Sequence, residues 1–269
     1  MKGGVEDLEK KLQQKEYRKE RQQRYLIKRS ELDESLEEVF DQKTLLSLYD
    51  LLNTGKLRQV MGVISAGKES RIYHGISGDG VEAAVKIYLV SSAEFKRNRL
   101  QYVVDDPRFK SIPGDFRKFI YLWSRREYAN LVEAFEAGVA VPKPLAQKEN
   151  ILVMQFLGEK GMRYPLLVEE SFEYDELENI LRHVVENLRK LYHGAELVHG
   201  DLSEYNIIVA KDLKAYIIDL AQAVKTSHPL ARQLLEKGTS TLCNFFNKHG
   251  LKCEPDYILQ EIVGKGDCK

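Results

Sequence analysis

His199-Gly200-Asp201-Leu202-Ser203-Glu204-Tyr205-Asn206 runs straight into the apolar triplet Ile207-Ile208-Val209, and across a polar turn Tyr216-Ile217-Ile218 ends on Asp219. The pattern is H-x-D-x-x-x-x-N, a strand, a turn, a strand and an aspartate. Asp201 and Asn206 are five apart, and Asn206 and Asp219 thirteen apart. Phosphoryl transfer asks for such a set. It needs an aspartate that can accept a hydroxyl's proton, then an amide oxygen and a carboxylate converging on the Mg²⁺ that bridges nucleotide phosphates. The two apolar runs predict a small hairpin with Asn206 at its entrance and Asp219 at its exit. His199 reads as a scaffold residue that packs the loop rather than as a base.

Upstream, Ala83-Ala84-Val85-Lys86-Ile87 sets a lysine inside an apolar strand. A snorkelling edge lysine would look the same. A buried one needs an anionic partner. Protein kinases place a lysine on their third strand to hold the α- and β-phosphates, oriented by a glutamate of the next helix. The helical spacing of Phe116–Ala137 offers Glu127, Glu133 and Glu136. Glu127 is near the middle, on the face of Trp123 and Leu131, and is the expected partner.

Further upstream, Gly62 to Ser70 (GVISAGKES) nearly spells the Walker phosphate loop, but Glu69 occupies the position where Mg²⁺ needs a hydroxyl. The following residues, Arg71–Ile76, read as a strand, whereas a Walker loop opens into a helix. A glycine between two strands still lets backbone N–H groups approach phosphates.

Around these motifs the chain falls into two halves. A short amphipathic helix over Leu45–Leu57 precedes strands at Gln59–Ile64, Arg71–Ile76 and Val81–Tyr88, the last two joined by the turn Ser77-Gly78-Asp79-Gly80. Residues 89–115 show no sustained period and read as a long polar loop, mobile without ligand. Pro144–Phe156 holds two more strands. After Gly158 the character becomes helical, with one long amphipathic helix from Leu177 to Tyr192. The expected domains are a basic helical extension over 1–44, a sheet-rich lobe over 45–154, a hinge at 155–158 and a helical lobe over 159–269. A cleft between such lobes is a favoured ligand site.

Composition agrees with a folded chain. The 269 residues carry 41 Lys+Arg against 41 Asp+Glu and are 43 % apolar, too apolar for disorder. Zero net charge excludes a globally basic nucleic-acid coat. The first 30 residues are nonetheless basic, with ten Lys/Arg against five Asp/Glu. No membrane span or apolar signal segment is legible. The cysteines, Cys243, Cys253 and Cys268, therefore read as reduced thiols in a cytoplasmic protein. A metal site from Cys243, His249 and Cys253 lacks the paired close spacing of zinc sites.

Taken together these segments resemble the RIO family of atypical protein kinases, most closely its first subfamily in the archaeal form, over roughly Phe40 to Ile262. The likeness rests on ISAGKES (64–70), AAVKIY (83–88), WSRREYANL (123–131), AGVAVPKP (137–144), VMQFLG (153–158), LVHGDLSEYNI (197–207) and IIDLAQAV (217–224). It implies an α+β fold: a minimal two-lobed protein kinase with a β-rich N-lobe, a helical C-lobe and a truncated substrate-docking region. It implies ATP with Mg²⁺, or Mn²⁺, as the ligand. Ser65, Lys68 and Ser70 would touch phosphates, with Ser203 and Glu204 nearby on the nucleotide. Lys86 and Glu127 would form the orienting pair. Met154 would line the adenine pocket, with backbone groups of Gln155 and Leu157 on the base. Asp201 would be the catalytic aspartate, and Asn206 and Asp219 the metal ligands, Asp219 also serving as phosphoryl acceptor in some relatives. The resemblance further implies serine autophosphorylation, ATP hydrolysis and action on the maturing small ribosomal subunit, its protein and rRNA, with no membrane or DNA partner.

Departures from an ordinary protein kinase also carry information. Ser203 replaces the usual lysine of the catalytic loop, and Asp219-Leu220-Ala221 replaces Asp-Phe-Gly. Only 50 residues follow Asp219, too few for an activation segment and a full peptide-docking lobe. Gln155 stands where the hinge often has an acidic residue. The N-terminus lacks the winged helix expected of the second RIO subfamily. A small-molecule phosphotransferase of the aminoglycoside or choline kinase kind also writes HGDL…N, but usually with histidine at the position of Ser203 and a larger substrate lobe. A third reading is a non-catalytic, ATP-gated ribosome-binding factor that uses Lys10, Lys11, Arg18, Lys19, Arg21 and Arg24 on RNA phosphates.

Overall fold

Burial along β2 (Ser70–Ser77) falls on Tyr73, Gly75 and Ser77, the period of two of a strand with one covered face. Its neighbour β3 (Glu82–Tyr88) is buried at every position after the first, as a central strand must be. The computed structural model describes residues 39–90, 93–109 and 111–264. The basic extension with Lys10 to Arg24, and Cys268, lie outside the described residues. Packing divides the chain at Leu46; the predicted lobes, but for residues 45 and 46, fall within the unit Ser47–Lys269, to which all that follows refers.

The sheet lobe is antiparallel, in the order β1 (Leu57–Ala66), β2, β3, β5 (Ile151–Gln155), β4 (Pro144–Lys148). Ser47 and Asp50 of helix α1 (Gln42–Asn53) reach the β4–β5 turn, bonding Glu149 at 2.6 Å and Lys148 at 2.9 Å. Helix α3 (Phe116–Glu136) is capped by Asp115, whose side chain accepts from the Lys118 N–H, and lies against β4 and β5.

The predicted 89–115 loop needs correction. Ala93–Val103 is a helix, α2. Among its residues with described burial only Phe95 and Val103 are well buried, so no apolar stripe marks it in the sequence. An aromatic cluster holds it instead. Phe95 meets Trp123 edge-on at 6.1 Å, and the Arg99 guanidinium lies 4.3 Å from the Phe95 ring.

Beyond Gln155 the chain must turn hard. A Cβ on Gly158 would lie 2.2 Å from the Met162 carbonyl oxygen, so the hinge requires glycine there for the small hairpin β6 (Gly158–Glu159) and β7 (Met162–Arg163) to close. The helical lobe packs α4 (Tyr174–His193), α5 (Ala231–Lys248) and α6 (Pro255–Val263) around Ile180, Val184, Leu188, Leu242, Phe246 and Ile262. Two-residue strands β8 (Leu197–Val198) and β11 (Val224–Lys225) pair with each other, and β9 (Ile207–Val209) and β10 (Ala215–Ile217) form a separate hairpin. The expectation of reduced thiols is also corrected, because Cys243 and Cys253 form a disulfide with Cα atoms 4.9 Å apart. The chain reverses at Gly250 after α5, and Asn247 grips the Cys253 backbone at both N–H (2.9 Å) and carbonyl (2.8 Å), which lays one cysteine over the other.

Candidate active site

Lys86 leaves the centre of the sheet, between Ile72 of β2 and Leu152 of β5, and is 4 % exposed. A buried ammonium requires anions, and it has two. Nζ donates to Glu127 Oε1 at 2.7 Å and to Asp219 Oδ1 at 3.0 Å. Tyr88, two residues on and therefore on the same strand face, donates its hydroxyl to the other Glu127 oxygen and sets its ring 5.0 Å from the ammonium. Burial alone would lower the Lys86 pKa, but Asp219 and Glu127 outweigh it and hold it well above that of free lysine. Burial raises Glu127 above the ordinary carboxylate range, with Lys86 opposing.

Asp219 has φ 60° and ψ 66°, a left-handed conformation in a residue other than glycine. Such a backbone persists only where its surroundings impose it. Its side chain is 47 % exposed, so one face of the carboxylate remains open beyond Lys86. Burial of the remainder pushes its pKa up, but Lys86 first, then His199 and a backbone N–H, bring it below the usual range.

The catalytic-type loop is fastened from inside. His199 is 2 % exposed, and burial lowers its pKa, which favours the neutral ring. Its Nε2 lies 2.9 Å from the Ile218 carbonyl, and its Nδ1 accepts the Asp201 N–H at 3.2 Å. Those two bonds assign the proton to Nε2. The ring therefore joins the Asp201 end of the loop to the residue before Asp219. Asn206 donates Nδ2 to the Asp201 carbonyl at 2.7 Å, so that bond does not use its Oδ1, and the Ile218 N–H donates to the Asn206 carbonyl at 3.0 Å. Asn206 and Asp219 thus stand side by side. Gln222 Nε2 donates to Asp201 Oδ2 at 3.1 Å. At Gly200, with φ 80°, a Cβ would lie 2.3 Å from the Gln222 carbonyl oxygen, so the loop and the turn after Asp219 touch backbone to backbone.

Could these residues hold a metal and a nucleotide? An amide oxygen and an open carboxylate suit a hard cation. Mg²⁺ binds through one or two carboxylates and completes its shell with water and phosphate oxygens. Among the described residues no group of three His, Cys, Asp or Glu is gathered as a self-sufficient metal site, so phosphate would be part of the coordination. On the sheet side, Ser65, Lys68 and Ser70 flank the β1–β2 turn, which is closed by the Gly67 N–H to Ser70 carbonyl bond of 3.0 Å. Ser65 and Lys68 are exposed, and Ser70 pairs with Tyr88, two residues from Lys86. At the hinge, Met154 pairs with Ala84. The Gln155 N–H is bonded to Lys143 at 2.8 Å, and its carbonyl points to the same side of the strand. The Leu157 carbonyl accepts from Tyr164 at 3.0 Å, which leaves its N–H for a base.

Not every expected residue joins the cluster. The Gln155 side chain accepts from the Lys143 N–H at 3.3 Å, a local structural bond. Ser203 opens the single turn Glu204–Asn206 without capping it by its hydroxyl, and Glu204 Oε2 is buried without a partner. Conversely, Tyr88, Gln222, Arg126 and Asn130 contact the cluster or its backbone although sequence reasoning assigned them no role. The signal was present in AAVKIY, IIDLAQ and WSRREYANL, but only the resemblance singled those spellings out.

A family model described as RIO1, RIO domain, matches residues 71–258. The chain is 38 % identical to the RIO-type serine/threonine-protein kinase Rio1 of Haloferax volcanii over 226 residues, 84 % of this chain and 76 % of the relative. It is also 38 % identical to the protein of the same description from Methanocaldococcus jannaschii over 229 residues, 85 % of this chain and 77 % of that one. Among solved structures, the Rio2 kinase–ADP/Mg²⁺–phosphoaspartate complex of Chaetomium thermophilum superposes with a TM-score of 0.61 at 24 % identity, covering 83 % of this chain and 67 % of the other. At that identity the superposition speaks for the fold, a minimal two-lobed kinase.

Proposed function

The chain belongs to the RIO family of serine/threonine-protein kinases, and from that premise we propose that it transfers the γ-phosphoryl group of Mg-ATP to a serine hydroxyl, its own or that of a protein of the maturing small ribosomal subunit, or to water. The observation that carries this reading is the meeting of Lys86 with Glu127 and Asp219 at 2.7 and 3.0 Å, beside an Asp201 oriented by Gln222.

The residues divide the work. Lys86, kept cationic by its two carboxylates, meets the α- and β-phosphates, and Glu127 with Tyr88 fixes where its ammonium sits. Asn206 Oδ1 and the open face of Asp219 would hold the metal. Mg²⁺, or Mn²⁺ on the same oxygen donors, would neutralise charge on the phosphates. Asp201 has Oδ2 engaged by Gln222, which leaves Oδ1 to accept or orient the proton of the incoming hydroxyl. The backbone of Gln155 and Leu157, under Met154, binds the base. The small-subunit target, a cytoplasmic setting and an RNA-binding role for the basic extension rest on the family resemblance.

The test is incubation with γ-labelled ATP and Mg²⁺, alone and with pre-ribosomal particles, scoring labelled protein against free phosphate. Label on serine or on particle protein supports the kinase reading. Release of phosphate without label assigns the ATPase. In a third reaction with choline or an aminoglycoside added, label on that alcohol and none on protein would move the chain among the small-molecule phosphotransferases.

A further inference from the structure

We propose that Arg126 and Asn130 are positioning residues that set Asp219 in its metal-holding conformation. The proposal rests on the kinase reading above and concerns what holds the metal turn in place.

The two residues are one helical turn apart on α3 and so face the same way. Both are completely buried. Arg126 sends Nη1 to the Ala221 carbonyl at 2.5 Å and Nη2 to the Ala223 carbonyl, while its Nε meets Asp106 Oδ2 at 3.2 Å. Asn130 Nδ2 donates to the Leu220 carbonyl at 2.8 Å and to that of Ala223 at 3.2 Å. Its Oδ1 accepts from Arg108 Nη2 at 2.7 Å, and Arg108 in turn binds Asp106. Three carbonyls of the turn directly after Asp219 are thereby gripped by two side chains. Neither side chain can shift easily, since Asp106 and Arg108 hold them from behind.

The turn matters because of what hangs from it. Asp219 opens it in the left-handed region, and Gln222 inside it reaches back to Asp201. Fixing the carbonyls of residues 220, 221 and 223 therefore fixes the metal carboxylate and the orientation of the catalytic aspartate together. Between Arg126 and Asn130 on the same helix, Glu127 holds Lys86, which touches the same Asp219. One helix thus grips Asp219 by its carboxylate, through Glu127 and Lys86, and by its backbone, through Arg126 and Asn130. In kinases with a regulated segment, the corresponding order is supplied by phosphorylation and helix movement. Here buried hydrogen bonds supply it permanently.

The experiment compares parent, Asn130→Ala and Arg126→Lys, with folding checked by circular dichroism and melting temperature. Affinity for N-methylanthraniloyl-ATP is measured without metal and across a Mg²⁺ titration, alongside turnover. Both variants should keep the metal-free affinity within about 2-fold and should require roughly 10- to 100-fold more Mg²⁺ for half-maximal tightening, the scale of a lost metal-orienting partner. At saturating Mg²⁺, turnover should fall with little change in the KM for nucleotide. A folded variant with a lowered melting temperature but the parental Mg²⁺ requirement and kcat would overturn the proposal, since the clamp would then be structural only. If Arg126→Lys does not fold, Asn130→Ala decides, because it leaves Arg126 paired with Asp106. If neither folds, the residues are structural and the proposal falls. A parent whose nucleotide affinity ignores Mg²⁺ would instead reject the kinase reading itself.

Discussion

The Lys86 ammonium lies 3.0 Å from the Asp219 carboxylate, although 133 positions of chain separate them. The contact joins the central strand of the sheet lobe to the exit of the hairpin in the helical lobe. Both partners are also the groups that a nucleotide and its metal would claim, the lysine by phosphates and the aspartate by Mg²⁺. The site thus carries an internal ion pair where the ligand would place its own opposite charges, and Glu127 stays behind to keep Lys86 aimed.

That arrangement makes Lys86→Ala more than a binding mutation. It removes the counter-charge of a glutamate whose side chain is 3 % exposed. Breaking a buried pair from one side costs about 3–5 kcal/mol. The variant should lose nucleotide affinity and also stability, and adding Glu127→Gln should restore part of the stability but none of the affinity. Urea unfolding of the parent, both single variants and the double variant measures the coupling. Additive losses would mean that the pair does not interact in the folded protein.

His199 makes stability depend on pH in a stated direction. Burial lowers its pKa in the fold below 6.5, so as pH falls through 6.5 the unfolded chain binds a proton that the folded chain refuses. Protons bound then favour the unfolded state, and stability drops on acidification from about 6.5 down to the folded pKa. The parent should therefore be less stable at pH 5 than at pH 7.5. His199→Gln should be less stable overall, with that part of the slope removed. Urea midpoints across pH, taken as the difference between the two proteins, isolate this histidine from the others; parallel curves would contradict the neutral buried ring.

The hairpin, the lysine strand and the long helices were legible because each is written in local pattern. Ile207–Val209 and Tyr216–Ile218 are apolar runs too short for anything but strands, and Leu177 to Tyr192 repeats with helical period. Glu127 was legible because a lysine inside an apolar strand calls for an acidic partner on the next helix, and of its three glutamates Glu127 is near the middle, on the Trp123–Leu131 face. Helix α2 was not, since two buried residues eight positions apart, Phe95 and Val103, leave no period to read, and what holds it is the packing of its Phe95 on Phe119 and Trp123 of α3. Nor was the disulfide, because the reversal at Gly250 that superposes Cys243 and Cys253 is tertiary. The grip of Arg126 and Asn130 on Leu220, Ala221 and Ala223 spans 90 positions or more and goes to backbone carbonyls, which have no sequence signature.

The Cys243–Cys253 bond closes a loop of 10 residues, and chain-entropy arguments give such a crosslink about 3 kcal/mol. Reduction, or replacement of both cysteines by alanine, should lower the urea midpoint by an equivalent amount. Nucleotide affinity should be unchanged, because the bond ties the end of α5 to the approach to α6 and touches neither Lys86 nor Asp219. Equal midpoints with and without a phosphine reductant, with thiol titration confirming reduction, would show that the crosslink adds nothing to stability.

Asp201 and Asp219 should fail in different ways. Asp219 is placed to hold metal on the phosphates, so Asp219→Asn should abolish both autophosphorylation and ATP hydrolysis and weaken the Mg²⁺-dependent part of nucleotide binding. It also removes a charge that Lys86 uses, and the lysine keeps only Glu127. If Asp219 is itself a phosphoryl acceptor, any hydroxylamine-sensitive phosphoprotein should vanish with it. Among the described residues the Asp201 carboxylate is bonded by the Gln222 amide at 3.1 Å and by no metal-side group. Asp201→Ala should therefore bind Mg-ATP like the parent and lose chemistry by about 10²–10⁴-fold, the usual scale for a positioned acid–base group. Gln222→Ala should land between the two extremes, with Asp201 present but unaimed. An Asp201→Ala protein with parental rates of both label transfer and phosphate release would remove the central residue of the mechanism, and the H-x-D-x-x-x-x-N loop would then be a structural turn held by His199 and Asn206.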